Sequence, residues 1–241
     1  MSDKPRLWTP KGWHAFEDGT AMAAACADRV AAIVESAIAE RGHAVVAFPG
    51  GSTPVPAFEL LARRPLDWSK VSILPGDDRI VDHDDPLSNF AMLDRYFGGT
   101  GARLIPLVDD VASGATHAES ANRRLADLPW PPDLVWLGVG GDGHTASIFR
   151  GPDYREAIET EARALKVTPD PLPPEAPVAR ITLSVHAIRS ARHRMVSLRG
   201  DDKRMVLLEA LSDGYKSRFP VGVVFGSASG EVSGEFYWSP A

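Results

Sequence analysis

The chain has 241 residues, of which 44% are hydrophobic and 24% are charged, proportions that are usual for a globular protein with a packed core. Its formal net charge of −6 at pH 7 argues against a nucleic-acid-binding surface, so a site for an anion would need a local positive charge. We find no signal peptide and no apolar run of about 18 residues. Cys26 is the only cysteine, which excludes an intrachain disulfide. These features predict a cytoplasmic protein with neither a membrane nor a nucleic-acid partner.

The amino-terminal half alternates helices with short apolar strands. Apolar residues at helical spacing predict a long helix over residues 18 to 42, and a β-branched run predicts a strand over residues 43 to 48. The same patterns predict helices at about 54 to 63, 87 to 97 and 114 to 127, and strands at 71 to 74 and 133 to 139.

The carboxy-terminal half continues this alternation more loosely. Five prolines among residues 168 to 177 predict an extended surface loop. Beyond it we expect strands at 180 to 185, 193 to 200 and 219 to 226, and helices at 186 to 192 and 201 to 212. Strands that alternate with helices form right-handed βαβ units. We therefore predict a single α/β domain over residues 1 to 241, with a mostly parallel sheet flanked by helices.

Open parallel sheets bind ligands beyond the carboxyl ends of their strands, and the first such strand end reads FPGGSTP. Gly50 and Gly51 allow a ligand to approach the backbone, while Ser52 and Thr53 supply hydroxyl groups just before a helix. This composition favours phosphate binding, although the glycines would also suit an ordinary strand-to-helix turn. No Gly-Lys-Ser/Thr follows, so the stretch is not a Walker A loop and ATP is not implied.

The second strand end carries Asp77, Asp78 and Arg79. An acid at this position could accept a proton or hold a hydroxyl group, and an arginine could bind phosphate or carboxylate through two parallel hydrogen bonds. The acidic run at residues 82 to 85 follows it. We interpret this run as a solvated turn and not as a metal site, because consecutive side chains do not easily face one ion.

The third strand end, GVGGDGH at residues 138 to 144, contains the dinucleotide-binding pattern G-x-G-x-x-G. That fingerprint should be followed about 20 residues later by an acid at the end of the next strand. Here the glutamates fall in a helix-like segment before that strand. We therefore interpret the glycines as a turn that presents Asp142 and His144 to a ligand. Histidine suits base catalysis because its ordinary pKa is about 6.5, although a lone histidine can also be purely structural.

Two basic residues, Arg180 and Lys203, complete the candidate set. Arg180 begins the strand predicted at 180 to 185. Lys203 falls near the start of a predicted helix, where the helix dipole disfavours a cation unless an anion is bound beside it. A solvated surface lysine is the alternative interpretation.

With these motifs in view, the chain resembles the 6-phosphogluconolactonases, within a larger group that includes glucosamine-6-phosphate deaminases and ribose-5-phosphate isomerases. The resemblance extends to about residue 212 and rests on FPGGSTP, DDR followed by LSN, GVGGDGHTASIF, RITLS and the Lys203 helix. The deaminases share Asp-Gly-His but carry a catalytic glutamate a few residues on, where this chain has TASIF. Two features depart from the family pattern: Asp78 replaces a glutamate, and EFYWSPA replaces the usual ending, so the tail around Trp238 is assigned no chemistry.

The resemblance implies a Rossmann-like sugar-phosphate isomerase fold and hydrolysis of 6-phospho-D-glucono-1,5-lactone in the oxidative pentose phosphate or Entner–Doudoroff pathway. His144 would be the general base on water, Asp142 would orient it, and Asp77 would hold sugar hydroxyls. The phosphate would be held by Gly50, Gly51, Ser52, Thr53, Arg79, Arg180 and Lys203. No metal or organic cofactor is implied, because a lactone is already an activated ester.

The resemblance implies that the protein is either a monomer or a weak homodimer. Two other functions stay open. A glucosamine-6-phosphate deaminase or another sugar-phosphate isomerase would use the same phosphate site, with Asp77 removing a substrate proton. A non-catalytic sugar-phosphate sensor would bind the ligand without converting it.

Overall fold

The structure, a computed structural model, describes residues 8–108 and 117–241 and contains a central seven-stranded sheet. The strands of the described chain are β1 (Trp13–Ala15), β2 (Ala44–Phe48), β3 (Val71–Pro75), β4 (Asp77–Arg79), β5 (Arg103–Leu104), β6 (Leu134–Leu137), β7 (Ala164–Val167), β8 (Arg180–Leu183), β9 (His193–Arg199) and β10 (Glu235–Ser239). The central sheet has the order β1-β10-β9-β6-β2-β3-β5, and all its neighbouring strands are parallel. A smaller antiparallel sheet has the order β4-β8-β7.

Helices cover both faces of the central sheet. They are α1 (Gly19–Arg41), α2 (Val55–Leu61), α3 (Asn89–Phe97), α4 (His117–Ala126), α5 (Tyr154–Glu159), α6 (Val185–Ser190), α7 (Asp201–Asp213) and α8 (Pro220–Phe225). Alternate residues of β2 enter opposite cores: Val46 and Phe48 pack with α1 to α3, whereas Val45 and Ala47 pack with α4 to α8. Because both faces are buried, such strands are continuous apolar runs in the sequence.

The order of the strands creates a crevice between β2 and β6. The chain builds β2, β3 and β5 outward on one side, and it then places β6 on the other side of β2, with β9 and β10 beyond it. At such a reversal, the loops after the two central strands diverge and leave room for a ligand. The FPGGSTP and GVGGDGH motifs follow these two strands, so the topology brings both to the crevice.

The α/β architecture and the mostly parallel sheet predicted from the sequence are confirmed. Most predicted helices and strands are present with shifted ends, and residues 114 to 116 of one predicted helix lie outside the described residues. The stretch predicted as a strand over 180 to 185 forms β8, which pairs antiparallel with β4 and β7 in the smaller sheet. The proline-rich stretch at 168 to 177 contains no helix or strand.

The prediction of a strand at 219 to 226 is wrong, because this segment forms the helix α8. A short apolar run fits a buried helix as well as a buried strand, and every residue of α8 is buried. Pro220 occupies the first helical turn, where its missing N–H costs nothing. Gly222 lets α8 approach α7 closely, since a Cβ there would lie 2.3 Å from the Ala210 carbonyl oxygen. Tertiary packing therefore overrides the β-branched composition.

The sequence patterns predict no element at β1 or β10. These strands extend the sheet beyond β9, and β10 pairs with β9 along its whole length. In the described ranges, no helix is both long enough and apolar enough to cross a membrane.

Candidate active site

Four adjacent strands, β9, β6, β2 and β3, bring most of the sequence motifs to one edge of the central sheet, and β8 of the smaller sheet adds Arg180. They border a cleft of about 400 Å³, a size typical of small-molecule sites. The predicted site residues that line it are Gly50, Gly51, Ser52, Thr53, Asp77, Arg79, His144, Arg180 and Lys203. Asp142 is the predicted site residue that does not line the cleft, and it contacts His144 instead.

His144 is held by a carboxylate at one of its ring nitrogens. Its Nδ1 lies 2.5 Å from Asp142 Oδ1, and its backbone N–H donates to the same oxygen at 3.2 Å. This hydrogen bond lowers the pKa of Asp142 below its ordinary value. An ionised carboxylate only accepts hydrogen bonds, so Nδ1 carries the proton in this contact, and Nε2 is the nitrogen that has the lone pair in the neutral ring. The ring of Phe149 packs against the imidazole at 4.2 Å between centroids.

The turn that carries His144 needs its glycines for space and for backbone conformation. A Cβ on Gly140 would lie 2.2 Å from the His144 ring and 2.6 Å from Asp142 Oδ1. Gly143 has a φ of +77°, which few side chains tolerate. Ala146 also has a positive φ, +47°, a strained conformation for a residue with a Cβ, and it lines the cleft. Backbone strain of this kind concentrates at functional sites.

Arg79 and Arg180 lie directly opposite each other where β4 pairs with β8. Arg79 donates to the Leu87 carbonyl oxygen at 2.8 Å, and Arg180 donates to that of Ala176 at 3.2 Å. The Nε of each arginine is buried without a hydrogen-bond partner, and neither forms an ion pair within the described part of the chain. Burial lowers the pKa of Arg180. Like charges in a cross-strand pair are destabilising, and a bound anion would relieve this cost.

Asp77 lies beside this arginine pair and is largely buried. Its Oδ2 accepts a hydrogen bond from Ser147 Oγ at 2.5 Å, and Ser147 Oγ lies 3.4 Å from Arg180 Nη1. Asn89 donates to the Asp77 backbone carbonyl at 2.8 Å and itself lines the cleft. Ser147 therefore links the turn of His144 to both Asp77 and Arg180.

Asp78, which departs from the family pattern, has a structural role in this protein. It is 1% exposed, and its carboxylate accepts hydrogen bonds from the backbone N–H groups of Arg79, Asn89 and Phe90 at 2.6 to 3.0 Å. The hydroxyl of Ser88 donates to it at 3.3 Å. Burial raises the pKa of Asp78 to about 6. Asp78 thereby fixes the first turn of α3 to β4, the strand that carries Asp77 and Arg79.

The sequence analysis gave no individual role to Asn89, Ser147 or Glu175, although all three belong to the site. Asn89 and Ser147 lie within quoted motifs, so their proximity to Asp77 and His144 was the available signal. Glu175 belongs to the proline-rich loop and lines the cleft near Arg180. No local pattern connects that loop with the cleft. Within residues 8–108 and 117–241, no His, Cys, Asp and Glu side chains form a group of three or more suited to a metal ion.

Known proteins share this fold and align with most of this chain. A family model described as "Glucosamine-6-phosphate isomerases/6-phosphogluconolactonase" matches residues 17–238. This chain belongs to that family. Within the family, the 6-phosphogluconolactonase of Rhizobium meliloti is 35% identical over 231 residues, which cover 94% of this chain and 98% of that protein. The Mesorhizobium japonicum protein of the same name is 36% identical, with 95% of each chain covered.

Solved structures of the family give the same result for the fold. The crystal structure of a 6-phosphogluconolactonase from Shewanella baltica superposes with a TM-score of 0.85 at 29% sequence identity. The match covers 97% of this chain and 99% of that one. The family resemblance and the fold predicted from the sequence motifs are therefore confirmed.

Proposed function

We propose that this protein hydrolyses 6-phospho-D-glucono-1,5-lactone to 6-phosphogluconate, the reaction for which its relatives are named. One observation supports this proposal most directly. His144, with Nδ1 bound by Asp142, lines the same cleft as Arg79 and Arg180, which have no carboxylate partner in the described chain. A general base and two arginines without a carboxylate partner in the described chain suit the hydrolysis of a phosphorylated ester. The reaction belongs to the oxidative pentose phosphate or Entner–Doudoroff pathway.

In the proposed mechanism, His144 Nε2 removes a proton from a water molecule whose oxygen attacks the C1 carbonyl carbon. The tetrahedral intermediate then collapses with cleavage of the bond between C1 and the ring oxygen. The imidazolium returns its proton to that oxygen, which becomes a hydroxyl group. Asp142 holds the ring in the productive orientation and stabilises its charged form. The lactone is an activated ester, so this sequence of steps needs no cofactor.

The phosphate group of the substrate would lie at the positive end of the cleft. Arg79 and Arg180 would bind it through charge-assisted hydrogen bonds, with Lys203 and the loop of residues 50 to 53 completing the site. Asp77 would accept hydrogen bonds from sugar hydroxyls. This local positive patch on a chain of net charge −6 explains how an acidic protein could select an anionic substrate.

The decisive test follows acid release from freshly generated lactone, with spontaneous hydrolysis subtracted. His144→Ala should lower kcat by about 10² to 10⁴, the usual contribution of a general base, with little change in KM. His83→Ala is a matched control, because His83 also packs on a phenylalanine ring but does not line the cleft. Wild-type turnover by His144→Ala would exclude His144 as the base.

The same preparation separates the two other functions. Ammonia release from glucosamine 6-phosphate, without accelerated lactone hydrolysis, would identify a deaminase. Binding of sugar phosphates without turnover of either substrate would identify a sensor. A cytoplasmic location, expected from the sequence, and a monomeric or weakly dimeric state, implied by the family resemblance, are part of the proposal.

A further inference from the structure

We propose that Trp238, outside the cleft, positions Lys203 for phosphate binding, an inference that rests on the proposed function. Trp238 belongs to β10, next to β9, and its register partner is Leu198, which lines the cleft. Its indole Nε1 donates to the backbone carbonyl oxygen of Gly200 at 3.0 Å. Gly200 immediately precedes α7, and Lys203 lies in the first turn of that helix. Strand β10 near the carboxy terminus thus contacts the start of α7, the helix that carries Lys203.

The start of α7 depends on this tail because it has no side-chain cap. Gly200 occupies the N-cap position with a φ of +88° and can offer no side-chain oxygen. Instead, its N–H donates to the Ser239 carbonyl oxygen at 3.0 Å, while its own carbonyl accepts from Trp238. Both polar groups of Gly200 are therefore bound by consecutive residues of β10.

A second contact of Trp238 holds the same helical turn. The guanidinium of Arg204 lies 4.3 Å from the centroid of the Trp238 ring. Arg204 also forms an ion pair with Asp201 at 2.9 Å, within the first turn of α7. Lys203 is flanked in sequence by the two points that Trp238 contacts, Gly200 and Arg204. A shift of the indole would therefore move the backbone that carries Lys203.

The contacts of Trp238 hold the backbone of a cation that occupies an unfavourable position. Lys203 lies at the positive end of the α7 dipole, and lysine side chains have many rotamers to lose on binding. A rigid helical turn reduces the entropy lost when the ammonium group meets a phosphate. Trp238 acts through Lys203, so its effect should appear in substrate affinity and not in the chemical step.

The test is a double-mutant cycle on KM for the lactone, with Trp238→Phe and Lys203→Ala. Phenylalanine keeps a ring beneath Arg204 but removes the Nε1 donor. We expect Trp238→Phe to raise KM about 3- to 10-fold, the effect of one hydrogen bond, with kcat within about twofold of wild type. In the Lys203→Ala background, the same substitution should leave KM unchanged, because the group that it positions is absent.

Trp130→Phe provides a closely matched control. The Trp130 Nε1 also donates a hydrogen bond at 3.0 Å, to Ser190 Oγ, and the guanidinium of Arg163 lies 4.2 Å from its ring. Trp130 does not line the cleft. This variant should lose about as much stability to urea as Trp238→Phe, while its KM stays at the wild-type value. A merely structural role for Trp238 would make the two variants alike in KM.

The possible results separate this inference from the function on which it rests. The positioning role alone would be overturned if Trp238→Phe had a wild-type KM. It would also be overturned if the KM effects of Trp238→Phe and Lys203→Ala multiplied in the double variant. A wild-type KM in Lys203→Ala would overturn both that role and the assignment of Lys203. If the wild type did not hydrolyse the lactone, the proposed function would fail. Calorimetric titration of inorganic phosphate into the same four proteins would still measure the coupling, and its absence would overturn the inference.

Discussion

Two pairs of arginines at opposite ends of the fold differ in whether a carboxylate neutralises them. At the amino end, Arg29 pairs with Glu235 at 2.6 Å, and Arg41 pairs with the buried Asp133 at 2.8 Å. At the carboxyl end, Arg79 and Arg180 face each other in register, with no ion pair in the described part of the chain. Buried charge is costly unless it is paired. The ion pairs of Arg29 and Arg41 therefore serve the fold, whereas Arg79 and Arg180 are available to an anionic ligand.

The largest effect that this comparison predicts is on substrate binding by Arg180→Gln. Loss of charge-assisted hydrogen bonds to the phosphate should lower kcat/KM by about 10² to 10³. Stability without ligand should change little, because the substitution also removes one of two facing like charges. Inorganic phosphate should raise the unfolding temperature of the wild type and should do so much less in the variant. A variant with wild-type kcat/KM would show that Arg180 is not a substrate ligand.

The amino end should respond in the opposite way to Asp133→Asn. Asp133 is 2% exposed and accepts hydrogen bonds from Arg41 and from the backbone N–H of Val45, both at 2.8 Å. Removing its charge leaves the exposed Glu40 as the ionised partner of Arg41 and weakens the buried hydrogen bonds, so the free energy of unfolding should fall by about 2 kcal/mol. Urea unfolding measures this loss. The value of kcat/KM should stay unchanged, and a large fall in it would contradict the division of roles between the two ends.

This division was partly predictable from the sequence. Apolar runs that end in Gly50-Gly51, in Asp77 or in the GVGGDGH turn predict buried parallel strands with polar ends, and parallel strands place those ends at one edge. That reasoning predicted the cleft and placed His144 in it. It did not find α8 or β10, because a short apolar run fits either element and β10 is recognisable only by its pairing with β9.

The electrostatics of the site were less predictable, because they depend on contacts between distant parts of the chain. The pairing of β4 with β8 places Arg79 opposite Arg180, which lies about a hundred residues further along the sequence. The bond from Ser147 to Asp77 spans 70 residues. Local composition supplies the residue types for such contacts, whereas the tertiary fold decides which of them are paired.

The third expected effect appears only as the pH is changed, and it concerns Asp78, the carboxylate that adjoins Arg79 in sequence without neutralising it. Burial raises its pKa to about 6 from an ordinary value of 3.8, although three backbone N–H groups bind it. The folded state therefore favours the protonated form. The stability that this preference contributes is fully present below pH 3.8 and is lost as the pH rises through 6.

Asp78→Asn cannot titrate at this position, so it provides the reference for measuring that loss. The free energy of unfolding of the wild type, minus that of Asp78→Asn, should fall on the order of 1 to 3 kcal/mol between pH 4 and pH 7 in urea titrations. An ion pair between Asp78 and Arg79 would instead lower the pKa of Asp78 and reverse the slope. A difference that rises with pH would thus indicate that Arg79 is neutralised within the protein, and the carboxyl end would resemble the amino end after all.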